Sequence, residues 1–155
     1  MKKYAQKHSS GDVLAATVAY LRYLSSMYQN HHWQAQGDDF YGNHLLFERA
    51  YKQTIEDVDK LAEKAIGLND ISIMDLRKQL SLMKAIGQKY PEHISTPDHL
   101  RHAIKAEQQF VTLLSTVQRR LENSNELSLG LDNLLAELSD NAESRIYLLK
   151  QASLT

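Results

Sequence analysis

Histidine and carboxylate side chains recur at close spacing in the first half of the chain. Six of those between residues 31 and 63 are candidate ligands: His31, His32, His44, Glu48, Asp59 and Glu63. Imidazole and carboxylate together are suitable ligands for iron, manganese or zinc. A single histidine on a helix is more often packed or solvated, and an acidic pair four residues apart is usually a solvated helix face. The arrangement of the whole set must therefore decide between a metal site and an ordinary surface.

Two of the spacings place ionisable residues on one face of a helix. His44 and Glu48 are four residues apart, and so are Asp59 and Glu63. At about 100° per residue, His44, Glu48 and Asp59 follow one stripe of a predicted helix over residues 40–66, with Glu63 at its border. We expect this stripe to be the buried face of the helix, formed by positions 44, 48, 51, 55, 59 and 62. Buried charges need partners or a metal.

The same residues are too far apart to share one metal ion within a single chain. His44 and Asp59 are fifteen positions apart, which is ~22 Å along a straight helix, whereas ligand distances to a metal are about 2 Å. A di-iron site inside one bundle would want a Glu-x-x-His pair, and the sequence has none. Two alternatives remain. The pairs are unrelated half-sites, or they meet across two chains packed antiparallel about a two-fold axis near residue 53.

Composition excludes several other classes of protein and site. The chain has 155 residues, of which 43% are apolar and 24% charged, as expected for one folded domain. It has no cysteine, which excludes disulfides, thiolate zinc sites, iron–sulfur clusters and cysteine nucleophiles. The net charge of −1 argues against a global basic field for nucleic acid. No apolar run could span a membrane or form the core of a signal peptide, so we expect a cytoplasmic protein.

Apolar spacing predicts the elements that must position these residues. Long stretches without proline or glycine favour helices, and three- and four-residue spacing predicts four long ones, over residues 12–36, 40–66, 98–122 and 131–152. Residues 68–96 form a long connection, with one or two short helices over 73–87. The predicted fold is all-α: a ferritin-like four-helix bundle with a short helix in the long crossover between helices 2 and 3.

One continuous segment resembles the Dps family, the mini-ferritins. It runs from His32-Trp33-Gln34-Ala35-Gln36-Gly37-Asp38-Asp39-Phe40 through His44 and Glu48 to Asp59-Lys60-Leu61-Ala62-Glu63. The family pattern is His-Trp-x-x-x-Gly-x-x-Phe, a histidine twelve residues after the first, an acidic residue four later, and Asp-x-x-Ala-Glu. Each element is present with unbroken spacing. The close likeness covers about 32 residues, and a looser one extends over nearly the whole chain.

This resemblance implies a function and a site. The chain would be a single ferritin-like (Dps) domain over residues 1–155, with residues 1–10 as a short basic tail. His32 and His44 of one subunit, with Asp59 and Glu63 of its partner, would form a ferroxidase site for iron. Fe(II) would be oxidised by hydrogen peroxide or dioxygen and stored as Fe(III) mineral in a hollow shell. The resemblance implies a homododecamer built from two-fold dimers, which protects DNA from oxidative damage.

Other residues receive less specific roles. The resemblance makes Glu48 a further ligand or a supporting acid, although the family commonly has aspartate there. Trp33 would lie beside the site, where it could pack, hydrogen-bond or quench radicals, or it could be a plain core anchor. His31 has no family role, and we expect an exposed surface histidine. Three acids are candidates for a pore or the shell interior, or else for solvated surface: Asp132, Glu137 and Asp140.

DNA is a second candidate partner. Lys2, Lys3 and Lys7 lie ahead of the first helix, and many copies of such a tail on one shell could bind phosphates together. The slightly negative net charge counts against this. Two alternative functions stay open: a non-catalytic DNA-binding or DNA-compacting shell on the same fold, and an unrelated monomeric four-helix signalling bundle. The ionisable stripe on the second helix counts against the signalling bundle.

Overall fold

The computed structural model describes residues 11–68, 70–90 and 96–154, and these residues form an all-α fold. It has five α-helices and a short 3-10 turn, Ile71–Met74: α1 (Gly11–Gln34), α2 (Phe40–Gly67), α3 (Leu76–Gly87), α4 (Thr96–Asn123) and α5 (Leu129–Ala152). The predicted four long helices, with a short one in the crossover, are confirmed. Their predicted ends fall within two residues of the observed ones. The predicted basic tail lies outside the described residues.

Two tight turns and one crossover arrange the four long helices. Gly37, with a φ of +91°, reverses the chain between α1 and α2, and Asn125, with a φ of +56°, does so between α4 and α5. Left-handed backbone costs glycine nothing and is tolerated by asparagine. The 3-10 turn and α3 pack along α1 on the way to α4. α1 contacts α2 and α4, and α5 contacts α2 and α4, so the long helices close a four-sided bundle.

The core consists largely of the predicted apolar stripes. On α1 the apolar residues that recur at spacings of three and four are all buried: Val13, Leu14, Val18, Leu21, Leu24 and Tyr28. The stripes of α4 and α5 are buried as well, apart from the half-buried Ile104 and Ile146. The crossover is less buried, since Met74, Leu76 and Leu80 are exposed. None of the described helices is long and apolar enough to cross a membrane.

The buried face predicted for α2 is wrong for the single chain. The residues that α2 buries are Asn43, Phe47, Ala50, Thr54, Asp57, Leu61 and Ala65. Most predicted positions come one residue after a buried one, which turns them about 100° away from the core. Burying Phe47 and Leu61 removes large apolar surfaces from water, which stabilises the folded chain. The alternative arrangement would bury the charged stripe instead, which would cost free energy of desolvation. The ionisable stripe therefore lies towards the outside of the bundle.

Candidate metal centre

His32 and His44 lie face to face at the end of the bundle where α1 turns into α2. Their ring centroids are 3.7 Å apart, with 23° between the ring planes. The Nδ1 atom of His32 is 2.8 Å from the carbonyl oxygen of His44, and the Nδ1 atom of His44 is 2.9 Å from the carbonyl oxygen of His32. The tight turn at Gly37 makes this crossed pairing possible, since it returns the chain within reach of its own preceding helix.

The crossed hydrogen bonds determine which nitrogen of each ring remains for chemistry. A carbonyl oxygen can only accept, so Nδ1 carries the proton and donates in both rings. A neutral imidazole protonated on Nδ1 keeps its lone pair on Nε2. Metal-binding histidines are commonly oriented by such a hydrogen bond from the nitrogen that does not bind the metal. The pair therefore presents two nitrogen ligands held in position by the main chain.

Aromatic and acidic side chains surround the histidine pair. The ring of Phe40 lies 4.9 Å from that of His44, and the ring of Tyr51 lies 5.4 Å from that of His32. Glu48 follows His44 by one helical turn and forms an ion pair of 2.5 Å with Lys52. Lys52, and to a smaller extent the two histidines, hold the pKa of Glu48 below its ordinary value. Glu48 is thus an ionised carboxylate within electrostatic range of the pair.

Asp59 and Glu63 are exposed near the other end of α2, and no described contact brings them to the histidines. Glu63 lines a shallow surface pocket with Lys60, Lys64 and Leu134. In the described parts of the chain, no three histidine, cysteine or acidic residues are grouped closely enough to hold a metal ion. A single chain thus presents two separate candidate half-sites, one with nitrogen and one with oxygen donors. That combination of donors suits iron.

Large apolar side chains are exposed beside both half-sites. They are Trp33, Phe40, Tyr41, Leu45 and Ile55. Trp33 is 66% exposed in the chain, so the interpretation of Trp33 as a core anchor is wrong. It comes two residues after the buried His31, which turns it about 200° around α1 from the core face. Apolar exposure of this kind is typical of a surface that another chain covers.

His31 is buried, and the prediction of an exposed histidine is wrong. Its ring stacks on that of His99 at 4.4 Å and approaches Phe47 at 5.4 Å. His31 thus packs between α1, α2 and α4. The signal was available in the sequence, because His31 follows Leu24 by seven residues and Tyr28 by three, which places it on the core face of α1.

The three acids considered for a pore lie on the surface of the chain or near it. Asp132 accepts a hydrogen bond of 2.6 Å from the side chain of Gln118. Glu137 forms an ion pair of 2.6 Å with Lys60, and Asp140 is exposed. Their assignment to a pore or an interior wall stays a prediction, because it concerns surfaces between chains.

The sequence analysis missed an ion network in the middle of the bundle. Arg145 of α5 forms a two-pronged pair with Glu107 of α4, at 2.6 and 3.1 Å. It also donates to Asp57 of α2 at 3.2 Å. All three side chains are at most 3% exposed. Each of these charged residues lies on the buried face of its helix. A charged residue on a buried face predicts an oppositely charged partner, so this pattern could have indicated the network.

A four-helix bundle with one long crossover connection is the architecture of ferritin-like proteins. The family model of the ferritin-like domain matches residues 12–150. The chain belongs to the ferritin-like family.

The resemblance to Dps proteins is confirmed by individual relatives. A nutrient stress-induced DNA-binding protein of Synechococcus sp. is 25% identical over 143 residues, covering 91% of this chain and 81% of that protein. General stress protein 20U of Bacillus subtilis is 34% identical over 68 residues, which cover 42% of this chain and only 47% of that protein.

Solved structures show the same fold. The Dps of Thermosynechococcus elongatus superimposes with a TM-score of 0.80 at 18% identity, covering 92% of this chain and 88% of that one. The Dps protein of Vibrio cholerae, described as a member of a superfamily of ferritin-like diiron-carboxylate proteins, gives a TM-score of 0.78 at 18% identity. The match covers 94% of this chain and 89% of that one.

Proposed function

We propose that this chain is an iron-storage and detoxification protein that oxidises Fe(II) at sites shared between two subunits. Hydrogen peroxide or dioxygen is the electron acceptor, and the Fe(III) mineral is kept in a hollow dodecameric shell in the cytoplasm, which protects DNA from oxidative damage. The observation that carries the proposal is the His32–His44 pair, whose two Nε2 atoms remain available for a metal. The diiron-carboxylate description of the Vibrio cholerae protein supports iron as the substrate.

The ligand types explain how such a site would work. His32 and His44 supply two borderline nitrogen ligands, and the partner subunit's Asp59 and Glu63 supply hard oxygen ligands, which stabilise Fe(III) relative to Fe(II). Four protein ligands leave coordination positions for the oxidant, to which Fe(II) passes its electron. Glu48 is placed to serve as a further ligand or as a nearby proton acceptor.

A two-fold dimer would bring together candidate ligands that lie too far apart along α2 of one chain. His44 and Asp59 are ~22 Å apart along the helix axis, so one chain cannot bring them to one metal ion. Two copies of α2, antiparallel about an axis near residue 53, place the nitrogen half-site of each chain beside the oxygen half-site of the other. The apolar side chains Leu45 and Ile55, exposed in the single chain, supply surface for that contact.

A complementation experiment tests the shared site. One inactive protein lacks the nitrogen ligands (His32→Ala with His44→Ala), and the other lacks the oxygen ligands (Asp59→Asn with Glu63→Gln). A mixed dimer has one complete site and one site missing all four ligands, so co-expressed chains isolated through two different tags should regain up to half of the wild-type site count per dimer. Fe(II) oxidation is followed by absorbance.

Two control measurements make the result decisive. Each variant expressed alone should form the same assembly as the wild type in sedimentation, which shows that only the ligands are lost. If verified mixed dimers regain no oxidation, then the carboxylates do not complement the histidines across the two-fold axis and the shared site is refuted. Wild-type oxidation by either variant alone would place the activity elsewhere.

DNA binding is a second candidate function, favoured by the name of the Synechococcus relative, a DNA-binding protein. Its candidate residues Lys2, Lys3 and Lys7 lie outside the described residues. Deleting residues 1–10 should lower any DNA retardation in a gel without changing the rate of iron oxidation, because lysines contribute salt-dependent phosphate contacts. Undiminished retardation by the deletion variant would show that the tail is not the DNA-binding element. In that bound state the protein would be nucleoid-associated.

A further inference from the structure

Arg145 is buried where the four long helices meet. It is 3% exposed, and the two carboxylates that it contacts, those of Asp57 and Glu107, are 1% and 0% exposed. Tyr28 of α1 joins them, with its hydroxyl 2.5 Å from the Oε1 atom of Glu107. Gln53 of α2 accepts from the Nη1 atom of Arg145 at 3.1 Å. Each long helix therefore contributes at least one side chain to the network.

Every oxygen of the two carboxylates has a hydrogen-bond donor. Arg145 donates to both oxygens of Glu107 and to the Oδ2 atom of Asp57. The side-chain amide of Asn141 donates to the remaining Oδ1 atom of Asp57 at 3.0 Å. Burial nevertheless raises the pKa of Asp57 above its ordinary value, against the lowering effect of Arg145 and Asn141. One guanidinium charge faces two carboxylates, which leaves the network short of one positive charge when both acids are ionised.

This arrangement resembles a metal site in a helix bundle, except that the guanidinium of Arg145 occupies the position that a metal ion would have. Metal sites in four-helix bundles are built from carboxylates that project into the core from facing helices. Here α2 and α4 each supply one such carboxylate, and the cation between them comes from α5. A metal ion would need the lone pairs that the donors of Arg145 and Asn141 already occupy.

We infer that Arg145 is a resident cation that blocks a divalent-metal site in the centre of the bundle. Without the guanidinium, Asp57 and Glu107 would offer four oxygen ligands, with Tyr28 beside them. A divalent cation would also balance the two carboxylate charges. The inference rests on the described network and not on iron oxidation, so it stands or falls independently of the proposed function.

The test measures cobalt(II) binding in a protein without the outer ligands. The parent for this test, the outer-site variant, carries His32→Ala, His44→Ala, Asp59→Asn and Glu63→Gln. Adding Arg145→Ser should create one Co(II) site per chain, detected by equilibrium dialysis and visible absorption, and Co(II) should raise Tm. The outer-site variant itself should bind no Co(II) in its interior.

Two matched controls identify the ligands and the blocking charge. Arg145→Lys keeps a fixed cation and should leave the interior closed to Co(II). Asp57→Asn added to Arg145→Ser removes one ligand and should weaken Co(II) binding at least tenfold. Serine is used in place of a larger residue because it leaves room for the ion.

Loss of Arg145 leaves two buried carboxylates without a counter-charge, which is severely destabilising. If the Arg145→Ser protein does not fold without metal, Co(II) should restore its helical circular dichroism. A folded Arg145→Ser protein that binds no Co(II), or an unfolded one that Co(II) does not rescue, overturns the inference. Interior Co(II) binding while Arg145 is present overturns it as well.

Discussion

His32 and His44 each donate the Nδ1 hydrogen to the other's main-chain carbonyl, at 2.8 and 2.9 Å. The orientation of each ring therefore depends on the backbone of the opposite helix. Since both helices are joined by the short turn at Gly37, the histidine pair is organised within one chain. In the proposed shared site, half of the ligands would thus already be in position in a single subunit.

Removing both histidines should abolish fast Fe(II) oxidation. His32→Ala with His44→Ala deletes both nitrogen ligands, and we expect the rate to fall by at least about a hundredfold, since even supporting residues of metal sites contribute about 10–100-fold. Assembly should be unchanged in sedimentation, because the lost side chains contribute little of the packing. Tyr51→Phe, which keeps the neighbouring ring, is the matched control. Oxidation at the wild-type rate in the double variant would contradict the assignment.

Alanine should have opposite effects at Gly37, in the turn between α1 and α2, and at Gly42, in the first part of α2. Gly37 has a φ of +91°, so Gly37→Ala should lower the free energy of unfolding by about 1–2 kcal/mol. Gly42 lies within α2 with open space around its Cα, so Gly42→Ala should raise it by about 0.5–1 kcal/mol. Denaturant unfolding of the two variants side by side measures both. Equal effects of the same sign would show that backbone conformation at residue 37 is not the cause.

Glu48 and Lys52 allow the supporting acid to be tested separately from the histidines. Lys52→Met removes the ion pair of 2.5 Å, and we expect Fe(II) affinity to rise or stay the same, because the carboxylate loses a competing cation. Glu48→Gln should lower Fe(II) affinity, since the charge near the histidines disappears.

Because Lys52 lowers the pKa of Glu48, the ion pair should persist below the ordinary glutamate pKa and be lost as the pH falls through the lowered value. Metal titration at pH 7, where the Glu48 carboxylate is ionised, distinguishes the two variants. An effect of Lys52→Met as large and of the same sign as that of Glu48→Gln would argue against a role for the acid.

Ile55 should report directly on the two-fold contact. Ile55 is 52% exposed in the single chain, and two copies would lie near the proposed axis. Ile55→Glu should leave the chain folded but dissociate the assembly, because two carboxylates would face each other across the axis. Ile55→Lys should do the same, and mixing the two variants should restore assembly and iron oxidation together. The conservative control is Ile55→Val. An intact assembly of the Ile55→Glu protein in sedimentation would place the axis elsewhere.

Local pattern was enough to predict the elements of this protein. Helix ends depend on nearby glycines, prolines and capping residues, and buried stripes repeat every three or four residues, so α1, α2, α4 and α5 could be located within two residues. The turn at Gly37 and the candidate ligands around it belong to one short segment and could also be recognised there. The catalytic use of His32, His44, Asp59 and Glu63 stays a prediction.

Only the tertiary structure decided which side of each element meets the core. On α2, adjacent stripes compete, and packing against α1 and α5 selects Phe47 and Leu61 over the stripe that carries His44, Glu48 and Asp59. On α1 the same selection buries His31 and leaves Trp33 exposed. The pairing of Arg145 with carboxylates from two other helices joins residues 38 and 88 positions apart. Periodicity along one helix carries no information about such pairs, because the partners of a buried charge are set by how the helices pack.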